Sequence, residues 1–268
     1  MSRITLFAKG NLDVRDSLHA LRLGGTVAWN GVNAVLRERA PSVTARLRHE
    51  TFVRSDALLA ATGAPPPNLA ARNLALGAYP AASQFSRALF ETEADAYVLS
   101  VQPDLNTVLA RHRDEGFLFY PNDFGRWPAD DQAWLKSNFA NAGLLTLEES
   151  MANFEVIIAA LRDRSSAPIL IYNVSAVVPG EQVHDHSGLE GLFSTRIRRF
   201  NLALAELSQR TGVSIIDVDA VVAKGGADRM KVDTVHLTAE GCRAVAEEVV
   251  RVLEDLGVVA DAEARACA

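Results

Sequence analysis

Three observations predict an α/β fold, a three-layer α/β/α sandwich built on a five-stranded parallel, flavodoxin-like sheet. Short apolar or β-branched runs alternate with longer segments of helical period, the pattern of a parallel sheet covered by helices on both faces. Each interval between runs is long enough for a helix, so right-handed crossovers cover both faces and favour the strand order 2-1-3-4-5. The chain has 268 residues, 49% apolar and 22% charged, a globular composition with room for one large domain or two small ones.

The five strands are read at 3–8, 72–76, 96–101, 168–174 and 213–218, and a weaker run at 43–48 is assigned to an edge. Three helices follow from periodicity. In 151–161, Phe154, Ile157, Ile158 and Leu161 recur at helical spacing. In 194–209, Ile197, Phe200, Leu204 and Leu207 form a stripe, and Gly212 supplies the stop. The last helix opens at Thr238 as N-cap, places Cys242, Val245, Ala246, Val249, Leu253 and Leu256 on one face, and stops at Gly257. The domain reading is a single unit over 1–257 with an aromatic-rich insertion at about 112–145, then a flexible tail over 258–268. Within the insertion, 116–139 holds seven of the chain's eighteen aromatic residues. It follows the third strand, where an open parallel sheet has its binding crevice, so it reads either as a lid or pocket wall or as satellite packing under a long loop.

Composition also excludes classes. The formal net charge is −6, with no basic tail, which argues against a nucleic-acid binder; the densest basic run, 195–199, reads as a solvated helix face. No apolar stretch is long enough for a membrane span or a signal peptide. Cys242 and Cys267, the only cysteines, suit neither a disulfide framework nor a zinc site, and a reducing cytoplasm is the expected compartment. A small-molecule partner is expected, and no cofactor. His184 and His186 with Glu181 form a metal-like constellation in a loop; polar surface groups are the blander reading, and no metal is assigned.

The strongest chemical signal is Asp233-Thr234-Val235-His236, between the fifth strand and the last helix. An Asp three residues before a His, on a turn opening a helix, can hold one ring nitrogen and leave the other as a general base. This block, 233–241, followed by an amphipathic helix, resembles the final motif of the SGNH/GDSL hydrolases, which are α/β/α esterases, deacetylases and lipases. Leu74-Ala75-Leu76-Gly77 is similar to the family's second block, whose Gly helps form an oxyanion hole, and the run 98–106 to the block whose Asn completes it. The resemblance implies the base His236, its partner Asp233, and oxyanion donors Gly77 and Asn106. The first block departs from the family's Gly-Asp-Ser. The first strand ends Lys9-Gly10-Asn11, with Asn11 at the serine position, and an amide is no useful acyl acceptor. Asn11 remains a hydrogen-bond donor to an oxyanion, Ser17 is a substitute nucleophile or simply a first-turn helix residue, and Lys9 either binds a substrate anion or faces solvent. Lys9, Gly10, Asn11, Gly77, Asp104, Asn106, Asp233 and His236 are expected around one cleft. Two activities follow: an ester or amide hydrolase, and a lyase or transferase that keeps the Asp–His pair but not the nucleophile. A binding module without chemistry ranks behind both.

Overall fold

The first strand, β1 (Ser2–Gly10), runs through the middle of a parallel sheet in the computed structural model, which describes residues 1–182, 189 and 191–267. Its neighbours are β2 (Val43–Thr51) on one side and β3 (Ala96–Ser100) on the other, followed outward by β4 (Ile169–Tyr172) and β5 (Ser214–Ile216). The order is therefore 2-1-3-4-5 with every pair parallel, β1 and β2 in register from Ser2 opposite Val43 to Gly10 opposite Thr51.

Side chains alternate across this sheet as the pleat requires. Ile4, Leu6 and Ala8 pack with Val98, Leu170, Tyr172 and Ile216 against one helical layer, formed by α1 (Leu12–Leu18), α2 (Val32–Arg39) and the long helix Ala239–Asp255. Phe7, Tyr97, Leu99, Ile169 and Ile171 pack on the other side against the helices Leu147–Arg162 and Phe193–Thr211. Local chemistry sets the helix ends. Thr146 and Glu149 form a reciprocal capping box, the Thr238 hydroxyl accepts from the Gly241 N–H at 3.1 Å, and Gly212 ends its helix at φ +67°.

Two expectations are corrected, and one alternative is settled. The second strand is not 72–76, which is irregular backbone; it is the run expected as a weak edge, lengthened to Thr51. As an edge strand with one open side, β2 carries Arg46 and Arg48 without burying them, which weakens its apolar pattern. The apolar residues near 72–76 serve a different core, where Leu69 and Leu76 pack with Phe119 and Trp127. The segment after Gly257 is a helix, Val258–Cys267, not a frayed tail: it buries Val258, Val259 and Ala262 against the sheet. The aromatic insertion forms a satellite core around a small antiparallel sheet of Ala110–His112, Leu118–Phe119 and Phe139–Asn141. No helix among the described residues is long and apolar enough to cross a membrane.

Candidate active site

At the carboxyl end of β1 the chain turns into α1 in one step. A Cβ on Gly10 would lie 2.4 Å from Val14 Cγ2, so only glycine lets the helix fold back this closely. Asn11 takes the N-cap position, yet its side chain makes no capping bond. Instead the amide is buried and donates from Nδ2 to Gln102 Oε1 at 3.3 Å, while its Oδ1 has no partner among the described residues. Gln102 opens the short helix Gln102–Asn106 after β3, with its own N–H held by Ser100 Oγ at 3.0 Å. The Asn11 amide also reaches the Tyr79 hydroxyl, whose pKa burial pushes up to about 12 despite that contact.

Tyr79 arrives from the long loop after β2, and the satellite core fixes it there. Gln84 donates to the carbonyls of Tyr79 and Tyr120 at 2.8 and 3.1 Å, and the two tyrosine rings meet edge to face at 4.9 Å. Asn122 and Trp127 hold the Leu76 and Ala75 carbonyls of the same loop. The insertion therefore acts on the crevice indirectly, by supporting one of its walls.

In the turn before the helix Ala239–Asp255, His236 Nδ1 lies 2.7 Å from Asp233 Oδ2. The other Asp233 oxygen accepts the backbone N–H groups of Val235 and His236, each at 2.9 Å, which makes the turn rigid. Burial pushes the Asp233 carboxyl up, but these N–H groups and the ring outweigh it and hold it below the usual carboxylate range. His236 Nε2 has no hydrogen-bond partner among the described residues. Beneath the turn, Lys231 is buried, and burial brings its pKa down to about 8. Its ammonium donates to the carbonyls of Thr234 and Val177, tying the turn to the loop after β4. Residues Thr234, Val235 and Leu237, which flank His236, line one cavity of about 20 Å³ together with Asp13, Gln102, Asn173, Ser175 and Lys231. The turn and the start of α1 thus face a common space roughly large enough for one water.

Several candidate residues lie elsewhere. Lys9 neither binds an anion in the crevice nor faces solvent: its ammonium is buried, paired with Glu50 at 2.9 Å and bonded to the Ser83 carbonyl at 3.0 Å. Ser17 is fully buried, its hydroxyl donating to the Asp13 carbonyl at 2.8 Å and lying 3.1 Å from the Tyr172 hydroxyl; that position gives a substrate no approach. Asp104 is buried in the interior, where it accepts from Ser55 N, Ser55 Oγ and Ser150 Oγ. No hydrogen bond among the described residues joins Asn106 to Asn11 or His236, and Gln102 occupies the place beside Asn11 expected for it. Gly77, at φ +56°, sits on the Tyr79 loop rather than at a strand end. Glu181 accepts from Ser194 N at 2.7 Å, whereas His184, Asp185 and His186 lie outside the described residues. The sequence reading passed over Gln102, Asp13, Tyr79 and Lys231. Gln102 was legible by counting two residues past the third strand; Tyr79 carries no local signal, because only the satellite core places it.

Neither a scan of protein-family models nor a search of curated proteins gives a match. Solved structures do. An acetylxylan esterase from Geobacillus stearothermophilus superposes with a TM-score of 0.51 at 12% identity, over 92% of this chain and 93% of that one. LAE5, an alpha/beta hydrolase enzyme from the metagenome of Lake Arreo, does so with a TM-score of 0.51 at 12% identity, over 96% of both chains. A member of the lipolytic G-D-S-L family from Veillonella parvula gives 0.48 at 9% identity, over 94% and 99%. The likeness extends over nearly the whole length of each chain, and on it this protein shares the fold of the acetylxylan esterase and of LAE5.

Proposed function

We propose that this protein hydrolyses an ester or amide of a small molecule, with His236 activating a water and Asp233 orienting the ring. The observation that carries this reading is the 2.7 Å contact from Asp233 to His236 Nδ1, which leaves Nε2 as the unengaged nitrogen. A carboxylate fixed by two backbone N–H groups sets the tautomer and stabilises the imidazolium formed when the ring takes a proton. Asn11 stands where a nucleophile would, and its amide is suited to orient substrate rather than to attack it. The low-identity structural relatives, which include an acetylxylan esterase, support the hydrolase class. The expected setting is the cytoplasm, in keeping with Cys242 as a buried free thiol.

A panel of p-nitrophenyl acyl esters tests the reading. Turnover by the wild type that falls about 10²–10⁴-fold in His236→Ala, with the fold retained, supports it. Wild-type rates equal to those of His236→Ala on short and medium acyl chains would defeat it. Asn11 itself favours a second reading, a lyase or transferase that uses His236 for proton transfer only. Covalent labelling of the wild type at one serine by a fluorophosphonate would eliminate that second reading.

A further inference from the structure

The end of β1 is flanked on its β2 side by polar side chains that the hydrolase reading leaves without a task. Arg15 stands one turn beyond Asn11 on α1, and its N–H donates to the Asn11 carbonyl at 2.9 Å. His19, which caps the end of α1, meets His49 of β2 edge to face, with ring centroids 5.5 Å apart. His49 Nε2 lies 3.0 Å from the carbonyl oxygen of Gly10, the residue before Asn11. Arg15 and His19, four residues apart, therefore share the side of α1 turned toward β2. All three side chains are only partly buried, and that of Arg15 is 43% exposed, so a ligand can reach them.

This corner carries an unanswered positive charge. Arg15 spends only Nε on a carboxylate, Asp16 Oδ1 at 2.7 Å, and Nη1 and Nη2 have no partner among the described residues. A pair this exposed is screened by solvent and leaves most of the guanidinium's pull in place. The other carboxylate nearby, Glu50, is taken up by Lys9 and Ser86. Neighbouring groups register the charge. Burial pulls the His19 pKa down and Arg15 pulls it further, with Asp16 opposing. Burial brings the His49 pKa down to about 4, against the bond to Gly10, and His19, Arg15 and Lys9 add to the effect. Arg15 also reaches Tyr79, where it opposes the burial that pushes the hydroxyl up to about 12. That hydroxyl is the one that the Asn11 amide reaches, so the corner is continuous with the crevice.

We propose that Arg15, with His19 and Tyr79 beside it, forms a subsite that binds an anionic group of the substrate, a carboxylate or a phosphate, while the ester or amide bond lies toward Asn11. This substrate class rests on the hydrolase reading, whereas the subsite itself rests on the placement of the three side chains. The planar fork of Nη1 and Nη2 matches either group through two parallel hydrogen bonds. His19 adds a ring N–H, and the neutral Tyr79 hydroxyl adds an O–H. A bound anion also favours the imidazolium, so binding draws His19 toward its protonated form.

Inorganic phosphate and acetate are each titrated into the protein at neutral pH and constant ionic strength, and the histidine ring C–H signals are followed by NMR. The signals of His19 and His49 are assigned by their loss in His19→Gln and His49→Gln. The expected result is a saturable shift of both signals with at least one anion, and the anion that saturates at the lower concentration names the group. In Arg15→Gln the same shift should need about 10–100-fold more anion. No shift with either anion, or saturation unchanged in Arg15→Gln, overturns the subsite. Turnover separates it from the reading beneath it. Mono-p-nitrophenyl glutarate carries a free carboxylate, and p-nitrophenyl butyrate does not. Where these esters are cleaved, the ratio of kcat/KM for the first to that for the second should fall about 10–100-fold in Arg15→Gln, and an unchanged ratio overturns the substrate class. Where the wild type cleaves neither, the hydrolase reading falls and the anion titration alone decides the subsite.

Discussion

The buried ammonium of Lys231 donates to the carbonyl oxygen of Thr234 at 2.9 Å, inside the turn that carries Asp233 and His236. A second bond from the same nitrogen reaches the Val177 carbonyl, in the loop after β4. One lysine thus links the His-bearing turn to the loop on which the neighbouring wall of the crevice is built.

Replacing this lysine with Lys231→Met keeps the apolar stem and removes both hydrogen bonds. Two part-buried carbonyls lose a charged donor, and the expected loss is about 1–3 kcal/mol of unfolding free energy by denaturant titration. Ester turnover should fall further than stability alone explains, because the turn that holds His236 is no longer tied down.

Gly241 is held at this same place by sterics. A Cβ there would meet the Met230 carbonyl oxygen at 2.4 Å, a backbone atom that no side-chain rotation moves away. Gly241→Ala is expected to cost about 1–3 kcal/mol. It should also displace Met230 and Lys231, so hydrogen exchange over 230–237 should quicken relative to the rest of the chain.

Asp104 predicts a pH dependence of stability. Burial raises its pKa from 3.8 to about 6, outweighing the bonds from Ser150 and Ser55. The folded state therefore binds this proton more tightly than the unfolded chain. The contribution is fully present below pH 3.8 and is lost as pH rises through about 6. Asp104→Asn, which keeps an acceptor for Ser55, should flatten the stability curve across that window. A curve of unchanged slope would contradict the assignment.

Asn11→Ser places a hydroxyl at the end of β1, the position at which the SGNH/GDSL motif that this sequence resembles has its serine. With His236 available as base, the variant should gain fluorophosphonate labelling at position 11 that the wild type lacks. Mass spectrometry of the labelled peptide reads this directly, and an unlabelled variant would mean that His236 does not serve that position.

Local pattern determined much of this protein. The helical stripes of 151–161 and 194–209, the Thr238 cap, the Gly212 stop, and the Asp-x-x-His turn are all set within a few residues by period and hydrogen-bonding chemistry, and they stand in the structure where the sequence puts them. Whatever depended on distant partners had to await the tertiary structure. An edge strand with one open side shows a diluted apolar pattern, so β2 was the weaker candidate, while 72–76 showed a stronger one because its leucines belong to the satellite core. A cation at a strand end reads as exposed until its carboxylate is found 41 positions away, as for Lys9 and Glu50. The helix Val258–Cys267 is short and lacks an apolar period long enough to declare itself, and the sheet it covers stabilises it. The same reason governs the site. Asp233 and His236 are neighbours in sequence and were visible together, whereas Asn11, Gln102 and Tyr79 meet only because three separate chain segments end at one edge of the sheet.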